Sequence, residues 1–163
     1  LPLLIASSSN LWLGVTMNMP AVDTLLYVAS MLCVGFLEEF IFRGLLFRAM
    51  EKDSLKTAVI VTSLTFGIGH IINLFNGSGM DLAANAGQVV SAIAFGFLFV
   101  ILFIKTGSLL PCIAAHSTIN TLSAFAVSPS TLWDILTALL LTLIAISYSL
   151  ILIKKIPNNS LAK

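Results

Sequence analysis

Six residues of this chain combine types and spacings suited to hydrolytic chemistry. They are Glu38, Glu39 and Arg43 in the run CVGFLEEFIFRGLLFR, His70 closing FGIGH, and His116 and Asn120 bounding HSTIN. The two histidines are the only ones in the chain. A carboxylate in a poorly solvated site can serve as a general base near neutral pH, and imidazole and amide N–H groups can hold an oxyanion. Those are the parts needed to hydrolyse an amide with an activated water.

The helical period separates the two acids. Arg43 lies four positions after Glu39, roughly 40° away on the same face, whereas Glu38 is about 140° from it. Glu39 and Arg43 are therefore expected to pair, while Glu38 points elsewhere and needs a different environment. Between Asp23 and Arg48 these three are the only charged residues. Ionisable groups inside so apolar a run cost about 2.5 to 3.5 kcal/mol each on insertion scales and are usually functional. A buried ion pair that only fixes helix packing explains Glu39 and Arg43 but leaves Glu38 unexplained. His116 and Asn120, also four apart, share a face.

The elements that position these groups must cross a membrane. Of 163 residues, 58% are hydrophobic and 9% charged, and the mean hydropathy is +1.06, far outside the soluble range. The expected fold is all-α, a polytopic transmembrane helix bundle with about five spans near 24–48, 56–75, 82–104, 108–127 and 131–153. Measured from the basic ends, Glu39 lies ~14 Å deep, His70 ~21 Å, His116 ~17 Å and Asn120 ~23 Å, so three helices carry acid, imidazole and amide to a common level. Net charge of +1 without a basic patch gives no case for a nucleic-acid partner. Cys33 and Cys112 lack CxxC spacing and read as small apolar residues. Gly35, Gly44, Gly67, Gly69, Gly87 and Gly96 fall within spans and are expected to allow close helix approach.

At its polar motifs the chain resembles the CPBP family of intramembrane proteases, also called the Abi family, which includes the CAAX prenyl endopeptidases and bacteriocin-processing or self-immunity proteins. EEFIFR at 38–43 matches the family's EExxxR, FGIGH at 66–70 its FxxxH, and HSTIN at 116–120 its HxxxN. The resemblance covers about 24–127, and the last span by position. It implies an endopeptidase cutting a peptide or a membrane-tethered protein approaching from the bilayer or the cytoplasmic side. Glu38 would activate water with help from His70, His116 and Asn120 would hold the oxyanion, and Glu39 and Arg43 would support them. The family has been called metalloproteases, and Glu38, His70 and His116 are the residues that would ligate zinc. Metal-independent catalysis is favoured, because there is no HExxH pair and a ligating glutamate cannot also serve freely as base.

In this reading residues 1–20 are an apolar segment ending a truncated upstream region, 21–156 the protease core and 157–163 a cytoplasmic tail. The non-enzyme alternative is a bacteriocin self-immunity protein or a scaffold binding a membrane protein through the same polar pocket. A transporter is a third option, but no internal repeat supports it. Partners are then a peptide or membrane-protein substrate and the lipid bilayer.

Arg48, Lys52, Lys56, Lys105, Lys154, Lys155 and Lys163 occupy alternate connections, which places the C-terminus in the cytoplasm of a cell membrane by the positive-inside rule. Cysteines introduced as Ser78→Cys and Lys155→Cys should accordingly label from opposite faces of the membrane. Labelling of both from one side would reject the five-span arrangement.

Overall fold

A backbone surrounded by lipid must satisfy its own hydrogen bonds, and this chain does so with helices. The computed structural model describes residues 1–77, 79–128 and 130–155. Ser78, Pro129 and 156–163, with the tail assigned to 157–163, lie outside the described residues. No strand occurs among those described, only an isolated bridge between Val15 and Ala126.

Helix α1 is the short Pro2–Ser7, and α2 runs from Ala21 to Met50. α3 is Leu55–Gly69, begun by Ser54, whose hydroxyl accepts the Thr57 N–H, and it tightens into a 3-10 turn over His70–Leu74. α4 is Leu82–Thr106, started by the Asp81 side chain on the Ala84 N–H and stopped by Gly107 at φ 66, where glycine pays no left-handed penalty. α5 is Leu110–Leu122 and α6 is Thr131–Lys154.

Four of these helices, α2, α3 with its 3-10 turn, α4 and α6, are long and apolar enough to cross a membrane. The remaining expected span, 108–127, is the 13-residue α5 followed by a 3-10 turn over Ser123–Phe125. Its hydroxyls explain the early end. Thr118, Thr121 and Ser123 all bond back to carbonyls one turn earlier, at Ala114, Ser117 and Asn120, which competes with helix continuation.

Helix α4 is the axis of the bundle. Its most apolar window is 61% buried, against 11% for α2, and Leu98, Phe99 and Val100 are almost wholly enclosed. α3 and α6 pack along it, while α2 packs along α5. Leucines such as Leu25, Leu26, Leu139 and Leu143 point outward, as lipid-facing residues must. The segment before α2 belongs to the bundle too: Asn10 donates to the Ile119 carbonyl at 2.6 Å, the Thr16 N–H to Phe125 at 3.0 Å, and Asn18 to Ala126 at 2.8 Å.

Two close approaches set the positions of the polar residues. A Cβ at Gly35 would stand 2.9 Å from the Ser117 backbone, so α2 touches α5 beside His116. A Cβ at Gly96 would stand 2.8 Å from the Ser63 carbonyl, and one at Gly67 would strike the backbone of Ile93, so α3 and α4 touch in both directions. Small residues permit such contacts between membrane helices. Gly69, in contrast, meets nothing within 4 Å.

Replacing Gly35 by Val should push α2 off α5 and lower stability by about 1 to 3 kcal/mol, the usual effect of overpacking. Thermal melting in detergent measures it. Gly69→Ala, made as the control, should melt like the parent.

Candidate active site

The wheel expectation for the two acids is met in the structure. Glu39 and Arg43 are both 0% exposed and pair at 3.0 Å, whereas the Glu38 side chain is 34% exposed. A feature that no residue pattern announces follows at once: from Phe40 to Phe47, α2 is a π-helix, a form concentrated at functional sites.

Arg43 is held from several sides. One terminal nitrogen donates to Glu39 Oε1 and the other to the Gly96 carbonyl, each at 3.0 Å. Its guanidinium lies 4.3 Å from the centre of the Phe66 ring and 5.5 Å from that of Phe99. Those ring faces offer a cation in an apolar interior an electrostatic partner. Arg43 Nε and Glu39 Oε2 are buried without a hydrogen bond.

His116 joins the same carboxylate. Its Nδ1 lies 2.9 Å from Glu39 Oε1, and its Nε2 lies 3.7 Å from Glu38 Oε2. A carboxylate already bridged to arginine accepts rather than donates, so Nδ1 carries the proton and Nε2 is the nitrogen turned towards Glu38. His70 follows the same logic: its Nδ1 donates to the Phe66 carbonyl at 3.0 Å, leaving Nε2 free. The Phe66 ring stands edge-on to both imidazoles, with centroids 5.3 Å from His70 and 5.5 Å from His116.

A cavity of about 790 Å³ brings Glu38, His70 and Asn120 to one surface. It is a cleft between diverging helices. The outer half of α2 leans on α5, and α2 meets α3 only from its π-helical part inward, so α2 and α3 separate outward from Phe40. Tyr27, Met31 and Val34 line one side, and Ile72, Asn73 and Asn76 the other. These mouth residues lie at the end of the bundle away from Arg48, Lys52, Lys105 and Lys155, the last two joined where Lys105 donates to the Lys155 carbonyl at 3.1 Å. The cleft thus opens at the end of the bundle opposite those basic residues.

Two site residues escape motif reasoning. Phe66 was visible only as the first letter of FGIGH, yet it contacts Arg43 and both histidines. Gln88 carries no pattern at all. The His70 carbonyl fixes the Asn85 amide as donor at 2.9 Å, and Asn85 and Asn73 then direct N–H groups at Gln88 Oε1, at 3.4 and 2.9 Å. Gln88 is thereby left with its amide nitrogen as the free end on the cavity wall. The Asn120 amide also lines the cavity, its backbone carbonyl being taken by Ser123.

For zinc the fit is poor. Among the described residues no three of His, Cys, Asp and Glu stand close enough to share an ion. His116 and His70 each bond through Nδ1, to Glu39 and to the Phe66 carbonyl, so the misfit lies in the spacing of Glu38, His70 and His116 and not in the state of the rings.

The fold and this cleft define a polytopic membrane protein with a carboxylate and imidazole site reached between two helices. Against known families, residues 20–122 match the type II CAAX prenyl endopeptidases of the Rce1-like kind, a stretch that contains all six polar residues named from the sequence. The chain belongs to that family, and hence to a family of proteases. No curated protein and no solved structure shows a significant match.

Removing one partner of a fully buried pair strands the other charge, so Glu39→Ala should lose about 3 to 5 kcal/mol of stability. Glu39→Leu combined with Arg43→Met, which leaves neither charge, should recover much of that loss. Melting temperatures in one detergent compare them; a Glu39→Ala protein as stable as the parent would contradict the buried pair.

Proposed function

We propose that the protein is an intramembrane endopeptidase in which Glu38 activates the attacking water without a metal. The observation that carries this is the contrast between adjacent acids: Glu39 is enclosed and paired, and Glu38 is water-accessible and unpaired by any arginine on the wall of the cleft. A general base must gain and lose a proton in each turnover, which a carboxylate clamped to arginine does poorly.

In the proposed reaction Glu38 takes a proton from water, and the hydroxide adds to the peptide carbonyl. His116 Nε2–H and the Asn120 amide hold the oxyanion. For that, His116 must be the imidazolium, a charge that Glu39 on its Nδ1 stabilises. Glu38 then delivers its proton to the leaving amine as the C–N bond breaks. His70, its free Nε2 facing the cleft, orients the water. Glu39 and Arg43 position His116 without touching substrate.

The cleft between α2 and α3 would admit an extended segment of a membrane-tethered polypeptide sideways from the bilayer. With the basic end in the cytoplasm of the cell membrane, its mouth would face the opposite side. The self-immunity or scaffold reading needs the same pocket but no base, so it tolerates loss of Glu38.

Glu38→Gln keeps shape and removes the base. It should express and melt like the parent while turnover of a membrane-anchored peptide falls by roughly 10² to 10⁴-fold. The parent should keep its turnover after exhaustive chelation. Near-normal cleavage by Glu38→Gln sinks the assignment, and inactivation by chelator with rescue by zinc replaces it with a metal site.

A further inference from the structure

A second cavity, of about 270 Å³, opens off the cleft and shares with it Phe66, His70, Gln88 and Asn120. It runs between α4 and α6. At its inner end is His116, whose ring lies 5.9 Å from that of Phe99. Its walls present Ala92, Phe95, Ala138 and Leu141 beside the hydroxyls of Ser91 and Thr137. Its outer end carries Asp134 with Ala84. The ends of α4 and α6 are fixed there by Thr131, whose hydroxyl donates to Asp81 Oδ2 at 2.6 Å; that bond, with the Ala84 N–H, holds the exposed Asp81 carboxyl below its usual range.

Asp134 is the unexplained group. Its side chain makes no hydrogen bond or ion pair among the described residues. Nor does the chain offer one, because there is no Lys or Arg before Arg43, between 57 and 104, or between 106 and 153. Arg43 is committed to Glu39. Asp134 also lies beyond the family match at 20–122. As a first-turn acid it interacts favourably with the α6 dipole, but the exposed rim would serve that purpose without an apolar slot leading inward.

An apolar slot ending in an acid is the chemistry that selects basic side chains in proteases: the walls take the aliphatic stem and the carboxylate takes the charge. We infer that this branch receives a lysine or arginine side chain of the polypeptide being cleaved, close to the scissile bond, and that Asp134 is the residue selecting it. The inference rests on the endopeptidase reading above. It makes the substrate class a cationic, membrane-tethered segment. Thr137, also lining the slot, supplies a hydroxyl beside the same charge.

The test uses the whole protein in lipid nanodiscs and a set of lipid-anchored peptides with one variable residue, Lys, Met or Glu, moved through successive positions. Cleavage is read by mass spectrometry as kcat/KM. At one position relative to the cut bond, Lys should exceed Met by about tenfold, the size of one partly desolvated ion pair, and Glu should be the poorest. Asp134→Asn should bring the Lys to Met ratio within about twofold, and Asp134→Lys should shift preference to Glu.

Equal cleavage of Lys and Met peptides at every position, or an Asp134→Asn protein that keeps the parent's ratio, overturns the inference. In that case Glu38-dependent cleavage still upholds the protease reading. Should no peptide be cut, or should Glu38→Gln cut as well as the parent, the protease reading fails separately, and binding decides the slot. Glu38→Gln protein must then bind the Lys peptide about tenfold more tightly than the Glu peptide, with the difference lost in Glu38→Gln/Asp134→Asn; equal affinities end the proposal.

Discussion

A guanidinium that never meets water is the constraint on which the rest of this structure depends. Arg43 is fully enclosed, and such a charge persists only where its surroundings replace hydration. Glu39 supplies the countercharge, the Gly96 carbonyl an acceptor, and Phe66 and Phe99 the ring faces. Those partners come from α2, α3 and α4. By drawing them together, Arg43 fixes where Glu39 stands, and Glu39 fixes His116 of α5. Four helices are thus registered around one side chain. Gly96 serves twice here, presenting its carbonyl to Arg43 and letting Ser63 of α3 come against α4.

The polar site is consequently an outgrowth of the packing, and the glycines sit where that packing is tightest. Gly35 lets α2 lie on Ser117, one residue past His116 and one turn before Glu38 and Glu39. A larger side chain there would separate the acids from the imidazole along the same line on which they interact. The π-helix beginning at Phe40 then widens the turn and swings the inner half of α2 towards α3, while its outer half stays with α5. The resulting divergence is the cleft.

Much of this was legible because membranes impose simple rules. Hydropathy located the long helices to within a few residues, and the spacing of Glu39 and Arg43 announced their pair. Three kinds of information were not legible. The shortness of α5 comes from hydroxyls bonding back to their own helix, which a count of apolar residues does not register. The π-helix has no residue signature at Phe40–Phe47. Gln88 and Asp134 owe their place on these cavity walls to tertiary proximity alone, as their own spans give them no special spacing. The depths inferred from basic ends were sound in bringing Glu38, His70 and Asn120 together, but depth is one coordinate. It did not show which end of the bundle the cleft opens to.

The adjacency of Glu38 and Glu39 is best understood as a division between a charge that stays and a charge that changes. Glu39 Oε1 meets both the Arg43 guanidinium and His116 Nδ1, and these hydrogen bonds replace the water that burial removes. Glu38 has no arginine on it and keeps a third of its side chain exposed. Successive residues of a helix point about 100° apart, so one peptide unit suffices to put Glu38 on the cleft and Glu39 in the core. His116 links them, one ring nitrogen on each side, and Arg43 balances Glu39. The four groups then sum to zero charge when His116 is protonated, the state that an oxyanion would need to meet.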